Sequence, residues 1–301
     1  MQGKNKIFAL DIGTRSVVGV ILEPAEKGYH VIDMVMKEHE NRSMLDGQIH
    51  DVLSVSTIIK EIKKELESRH GQLKKVCVAA AGRALRTETA SASIYIKGKP
   101  IISKEDILHL ELMAVQAAQE KAAVKEKPDK NYQYYCVGYS VLYYRLDEEE
   151  IGSLIDQQGE KAAVEIIATF LPRVVVESLI AALHRAELEM DALTLEPIAA
   201  IQVLIPASMR HLNLALVDIG AGTSDIALTD SGTVIAYGMV PVAGDEITET
   251  LSDQFLLDFS VAETVKRQLH TGTSVKLTDI LGVEHELPSS EIIQQIDSAI
   301  D

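Results

Sequence analysis

Leu10-Asp11-Ile12-Gly13-Thr14, near the start of the chain, and Val217-Asp218-Ile219-Gly220-Ala221-Gly222-Thr223, far downstream, repeat one pattern. An apolar run ends in an acid, Ile-Gly and a turn of small residues follow, and a second strand-like stretch begins. The separation is too long for a solenoid array. It predicts two lobes, each opening on the same strand–turn–strand hairpin. Such a hairpin suits phosphate. Gly13, Gly220 and Gly222 let the backbone turn tightly and approach a ligand closely. Successive N–H groups, including that of Ala221, form an anion-binding nest. Thr14 and Thr223 add hydroxyl donors. Asp11 and Asp218, at the strand ends, stand where carboxylates hold a hydrated Mg²⁺ beside phosphates. A single Asp-Ile-Gly-Thr is an ordinary hairpin turn; the pair reads as a clamp.

Composition narrows the class. The 301 residues carry 29 Lys and Arg against 45 Asp and Glu, a net charge of −16. At roughly 150 residues per domain the length predicts about two domains. The acidity excludes non-specific nucleic-acid binding and disfavours a purely electrostatic grip on anionic lipid. No apolar run approaches the roughly 18 residues of a membrane-spanning helix, and residues 1–11 are not a secretory signal. Cys77 and Cys136 make neither a disulfide framework nor a metal spacing, and read as buried apolar residues of a cytosolic protein. Aromatics are only 4% and Trp is absent, so the cores are built from Val, Ile, Leu and Ala.

Outward from the first hairpin, residues 29–36 read as a strand, 56–69 as a helix with Ile58, Ile62 and Leu66 on one face, and 76–81 as a strand covered on both faces. Residues 91–96 are a strand. Ser103 and Asp106 match a capping box for a helix with Ile107, Leu110, Ala114 and Ala117 inward. A charged connector at 121–130, a Tyr-rich strand at 132–146 that packs its subdomain, an acidic loop at 147–150 and a strand at 161–170 follow. Pro172 opens a helix with Val175, Leu179, Ala182 and Ala186 on one face. Residues 191–195 are a strand and 198–204 a short helix. Beyond the second hairpin, 225–229 and 233–237 read as strands, 245–257 and 261–270 as helices, then a two-strand pattern and a helix at 290–300. Glu284-His285-Glu286 reads as a loop. Glu196-Pro197 is a sound helix start, with the acid favourable to the dipole. It also places a carboxylate where it can orient water toward a terminal phosphate.

These motifs, in this order and spacing, resemble the actin-like ATPase superfamily: Asp11–Thr14 its first phosphate motif, Glu196–Ala200 its first connecting motif, Asp218–Ala227 its second phosphate motif. Within it, the chain is most similar to the bacterial cell-division family FtsA. Residues 78–83 and 168–172 resemble the entrance to and exit from that family's inserted subdomain, 240–245 the segment after the second phosphate loop, and 262–267 the helix whose Glu and Lys reach the nucleoside. The resemblance implies an α/β, ribonuclease H-like two-lobe fold with an inserted α+β subdomain. The expected parts are 1–81 and 172–210 for the first lobe, 82–171 for the insert and 211–301 for the second lobe. No Gly-Gly adenosine motif or amphipathic tail follows, so the second lobe is expected to be truncated.

The resemblance further implies Mg²⁺ and ATP between the lobes, with Asp11 and Asp218 on the metal. Gly13, Thr14, Arg15, Gly220, Ala221, Gly222, Thr223, Gly244, Glu263 and Lys266 would bind nucleotide, and Glu196 would position water as the catalytic residue of a weak ATPase at most. Many relatives carry a basic residue two positions after Thr14, where this chain has Ser16; Arg15 is the base here. Implied partners are an FtsZ-like division protein and further copies in a filament, with cytoplasmic location and membrane contact only through a tail. PilM-type pilus assembly, or a chaperone-like protein of ethanolamine utilisation, shares the motifs. A sugar or metabolite kinase of the superfamily fits the Glu-Pro-Ile-Ala-Ala form and the insert less well.

Overall fold

The computed structural model describes residues 6–39, 42–45, 47–80, 85–96, 102–124, 134–209, 212–230 and 233–300. The turn expected at Ala81-Gly82-Arg83, the connector at 125–130 and Tyr132 lie outside them.

The first lobe runs β1 (Ile7–Ile12), β2 (Ser16–Pro24), β3 (Tyr29–Glu38), the short pair β4 (Met44–Leu45) and β5 (Gln48–Ile49), α1 (Val52–His70) and β6 (Lys75–Ala80). The insert adds β7 (Arg86–Tyr95), α2 (Lys104–Val124), β8 (Tyr134–Leu146), β9 (Glu149–Ile151) and β10 (Lys161–Pro172). The chain returns through α3 (Arg173–Arg185), β11 (Glu189–Leu195) and α4 (Glu196–Leu204). The second lobe follows with β12 (Leu214–Ile219), β13 (Ser224–Asp230), β14 (Thr233–Val240), α5 (Gly244–Phe255), α6 (Phe259–Gln268), β15 (Ser274–Thr278), β16 (Glu284–Pro288) and α7 (Ser289–Ile300).

The first-lobe sheet has the order β11-β6-β1-β2-β3, antiparallel from β1 through β3 and parallel where β6 joins β1 and β11 joins β6. One face is apolar because β1 and β2 alternate. Phe8, Leu10, Ile12, Val17 and Ile21 are buried against Val55, Ile59, Ile62 and Leu66 of α1 and Leu179 and Leu183 of α3. Gly19 lets α1 close on the sheet, since a Cβ there would stand 2.4 Å from Ile62 Cγ2. The second lobe repeats the start of this plan: β12-β13-β14 is an antiparallel meander like β1-β2-β3. The insert is a sheet, β7-β10-β8-β9, covered by α2 through Ile107, Leu110, Ala114, Ala118 and Ala122. Tyr134, Tyr139 and Tyr144 pack there, and Tyr139 and Tyr144 both donate to Glu111. α4 joins all parts: Ile201 and Ile205 pack on β12–β14, while Ile198 reaches Leu171 and Leu195.

Several local expectations shift. α1 starts at Val52, because Asp51 accepts from the N–H groups of Leu53 and Ser54. α2 continues through residues expected to be connector, and its capping box forms between Ser103 and Asp106. The buried stripe of α3 is Val176, Leu179, Ala182 and Leu183, with Ala186 just beyond; Leu179, Ala182 and Ala186 are buried as expected, Val175 is only half-buried, and Pro172 is the N-cap. Residues 149–151 and 284–288 are strands rather than loops, because each pairs with a neighbouring strand, β8 and β15 respectively. α4 begins at Glu196 itself. Cys77 and Cys136 are free thiols and half-buried rather than buried.

Candidate functional site

The two hairpin turns are built alike. Gly13 N–H donates to Ser16 O at 3.0 Å, and Gly220 N–H donates to Thr223 O at 2.9 Å. A side chain on either glycine would crowd the same carbonyl, at 3.3 Å for Gly13 and 3.2 Å for Gly220. The turns meet face to face: a Cβ on Gly222 would lie 2.9 Å from Thr14 Cγ2. Thr14 is half-buried, whereas Gly222 and Thr223 are buried. The fold therefore brings Gly13, Thr14, Gly220, Ala221, Gly222 and Thr223 together at one cleft. Gly244, at the start of α5, joins them through its N–H to Gly220 O at 3.2 Å.

Carboxylates gather beneath the turns. Asp11 is on β1 and Asp218 on β12, and both open to solvent within the cleft. Asp225 lies directly across the hairpin from Asp218 and is only 3% exposed. Glu196 begins α4 and its Oε1 is buried without a hydrogen-bond partner. Burial pushes Glu196 up to about 8, helped by Asp11, Asp225 and Asp218. Burial, then Asp218, pushes Asp225 up to about 6, partly opposed by the Thr223 hydroxyl. Desolvation and then Asp218 also raise Asp11, because open water on one side does not offset protein on the others. Mutual repulsion of this kind is what a bound cation relieves. Among the described residues no three acid, His or Cys groups are placed to ligate a metal directly. Asp11 and Asp218, the exposed acids of this set, are the ones that could hold an ion through its own waters, the habit of Mg²⁺.

The rim is ionic. Arg15, expected at the phosphates, pairs here with Asp245, and its Nη1 lies 3.0 Å from Glu263. The physical reason is the acidic notch that α5 and α6 present to the β1–β2 turn. Glu263 and Lys266 are held to each other at 2.7 Å, and Lys266 Nζ also donates to Gly244 O and the Thr248 hydroxyl, each at 2.8 Å. Burial alone would raise Glu263, but hydrogen bonds from Lys266, Thr248 and Arg267 outweigh it and bring it down to about 2. A cavity of about 550 Å³ opens here, lined by Thr14, Arg15, His39, Arg42, Phe259 and Glu263 among others.

A family model described as "Cell division protein FtsA" matches residues 215–292. The FtsA of Pseudomonas aeruginosa is 23% identical over 88% of this chain and 61% of its own length; that of Bacillus subtilis is 23% identical over 89% and 59%. Among solved structures, the PilM-PilN type IV pilus biogenesis complex superposes over 99% of this chain and 74% of its own, at TM-score 0.69 and 19% identity. MreB5 of Spiroplasma citri bound to ADP superposes over 98% and 75%, at TM-score 0.51 and 14% identity. The chain has the fold of these actin-like proteins and is similar in sequence to FtsA. It spans about three fifths of the length of the first two of these relatives. No helix among its described residues is long and apolar enough to cross a membrane.

Two site residues escape a motif reading. Asp225 has a visible signal once the turn is placed: in a hairpin pivoting on Gly220–Thr223, antiparallel register sets it opposite Asp218. His39 has none, because only the return of β3 beside the β1–β2 turn brings its ring to Gly13 O.

Proposed function

We propose that this chain binds Mg²⁺-ATP between its lobes and works as an FtsA-like polymerising adaptor in cell division. The observation that carries this reading is the pair of matched glycine turns facing each other above a floor of carboxylates. The ADP named for the MreB5 structure supports the nucleotide, and the FtsA relatives support the division role with an FtsZ-like partner and self-association. Backbone N–H groups of the turns, with Thr14 and Thr223, would hold the phosphates. Asp11 and Asp218 would hold Mg²⁺ through water; when bound, the ion neutralises phosphate charge and restores the carboxylates to their ionised form. Glu196 orients water toward the terminal phosphate. Asp225, poised near neutral pH, takes the proton that water loses. Glu263 and Lys266 face the nucleoside once their present pairing loosens. Membrane contact, in this reading, comes from outside these residues.

Titration calorimetry with Mg²⁺-ATP tests the reading. Asp218→Ala should abolish binding while its thermal melt stays near wild type; unchanged affinity overturns the assignment. A second reading, PilM-type pilus assembly, is favoured by the TM-score of 0.69. Capture with an FtsZ-type division protein against a PilN-type pilus protein separates the two.

A further inference from the structure

The turns face a ligand with their N–H groups only if their carbonyls are tied elsewhere. In the second turn backbone does this: Gly244 N–H donates to Gly220 O at 3.2 Å and Asp245 N–H to Ala221 O at 2.7 Å. The first turn has no such helix behind it. There His39 supplies both ties: its N–H donates to Arg15 O at 2.9 Å, and its Nε2 stands 3.2 Å from Gly13 O. A carbonyl only accepts, so Nε2 carries the proton. Burial holds His39 below the ordinary histidine range, so the ring is neutral near pH 7 and Nδ1 is an acceptor. The Ser43 hydroxyl, 2.9 Å away, donates to it. Ser43 is itself buried, and its carbonyl takes the N–H groups of His50 and Asp51 just ahead of α1. A rigid helix end, Ser43, His39 and Gly13 thus form one chain of hydrogen bonds.

The C=O and N–H bonds of a trans peptide point in opposite directions. Fixing the Gly13 carbonyl toward His39 therefore fixes the Thr14 N–H away from it. We propose that His39 is a positioning residue of the anion site: by holding the Gly13 carbonyl it aims the Thr14 N–H at a bound phosphate, the task that the Gly244 amide performs for the second turn. This rests on the nucleotide reading above. His39 touches no reacting atom in this scheme.

The test is Mg²⁺-ADP affinity by calorimetry, with thermal melts and the amide shift of Thr14 followed by NMR. Losing one well-placed hydrogen bond weakens binding about tenfold, so His39→Ala should bind about tenfold more weakly. It should also lose most of the ADP-induced shift of the Thr14 amide. His39→Gln, whose amide still donates, should recover to within about threefold of wild type. Equal affinity for wild type and His39→Ala overturns the proposal. Equal weakening of the Ala and Gln variants overturns it too, because ring bulk rather than the donated bond would then matter. If His39→Ala does not fold, Ser43→Ala decides: weaker binding with an intact melt supports the relay, and unchanged binding overturns it. Wild type that fails to bind ADP overturns the nucleotide reading and this inference together.

Discussion

Glu196 is a buried acid set among acids. Its Oε1 is buried with no partner, and its neighbours in the cleft are acids. Raised from 4.5 to about 8, it is protonated in the fold at pH values where the unfolded chain has already ionised it. The native state then binds more protons than the unfolded one, so stability falls as pH rises. That contribution is fully present below about 4.5 and lost as pH climbs through about 8. Glu196→Gln removes the titration. Urea melts at pH 5 and pH 9 should show wild type losing on the order of 1–3 kcal/mol more than the variant, and parallel losses would refute the assignment. Added Mg²⁺ should shrink the wild-type loss. At this scale the sequence is informative where chemistry is local. Glu196 before Pro197, and the acids ending two similar strands, announce themselves. Arg15 does not, because whether a guanidinium meets phosphate or carboxylate depends on helices contributed more than two hundred positions later, at Asp245 and Glu263.

Elements are legible in proportion to how much apolar pattern they own. β1, β2 and β6 are continuous or alternating apolar runs, and their residues alone demand a covered sheet face. β9 and β16, Glu-Glu-Ile and Glu-His-Glu-Leu-Pro, have almost none; partner strands make them strands. The stripe of α3 is the expected one at Leu179, Ala182 and Ala186; only its first residue differs, Val176 rather than Val175 being buried, because Val174, Val175 and Val176 are consecutive and packing alone chooses among them. Glycines show the same division. Gly19 sits under α1, and its absent side chain is a packing requirement: Gly19→Ala would press on Ile62 and Leu66. Overpacking of this kind costs about 1–3 kcal/mol, and chemical denaturation should register it. Gly238, on β14, has nothing within 4 Å of the place a methyl group would take and no left-handed backbone. Gly238→Ala should therefore be neutral or stabilise by up to about 1 kcal/mol. Equal destabilisation by both substitutions would show that α1 does not rest on Gly19.

Across the whole molecule, the lobes are tied at the mouth of the cleft by opposite charges. Arg15 of the β1–β2 turn reaches Asp245 and Glu263; Arg42 reaches Glu249; Glu38 of β3 reaches Arg267 of α6. Phe259 sits under Arg15 and Arg42, at 5.4 and 4.7 Å from its centroid. The contacts differ in weight. Both partners of the Arg42 and Arg267 cross-lobe pairs are about half exposed, and such pairs add little once salt screens them. Arg15 is 21% exposed and both of its acids 12%, so this contact is shielded and shared between two carboxylates. Arg15 should therefore dominate the latch. Small-angle scattering of the nucleotide-free chain at about 0.05 and 0.5 M salt, values spanning strong to weak screening, measures it. Wild type should expand slightly at high salt, Arg42→Ala should follow wild type, and Arg15→Ala should be expanded already at low salt and insensitive to further addition. Removing Arg15 leaves Asp245 and Glu263 facing each other without their shared cation, so repulsion adds to the lost attraction. If Arg15→Ala and wild type scatter alike at both ionic strengths, the lobes are held by the apolar packing of α4 on β12–β14 and not by charge at the cleft mouth.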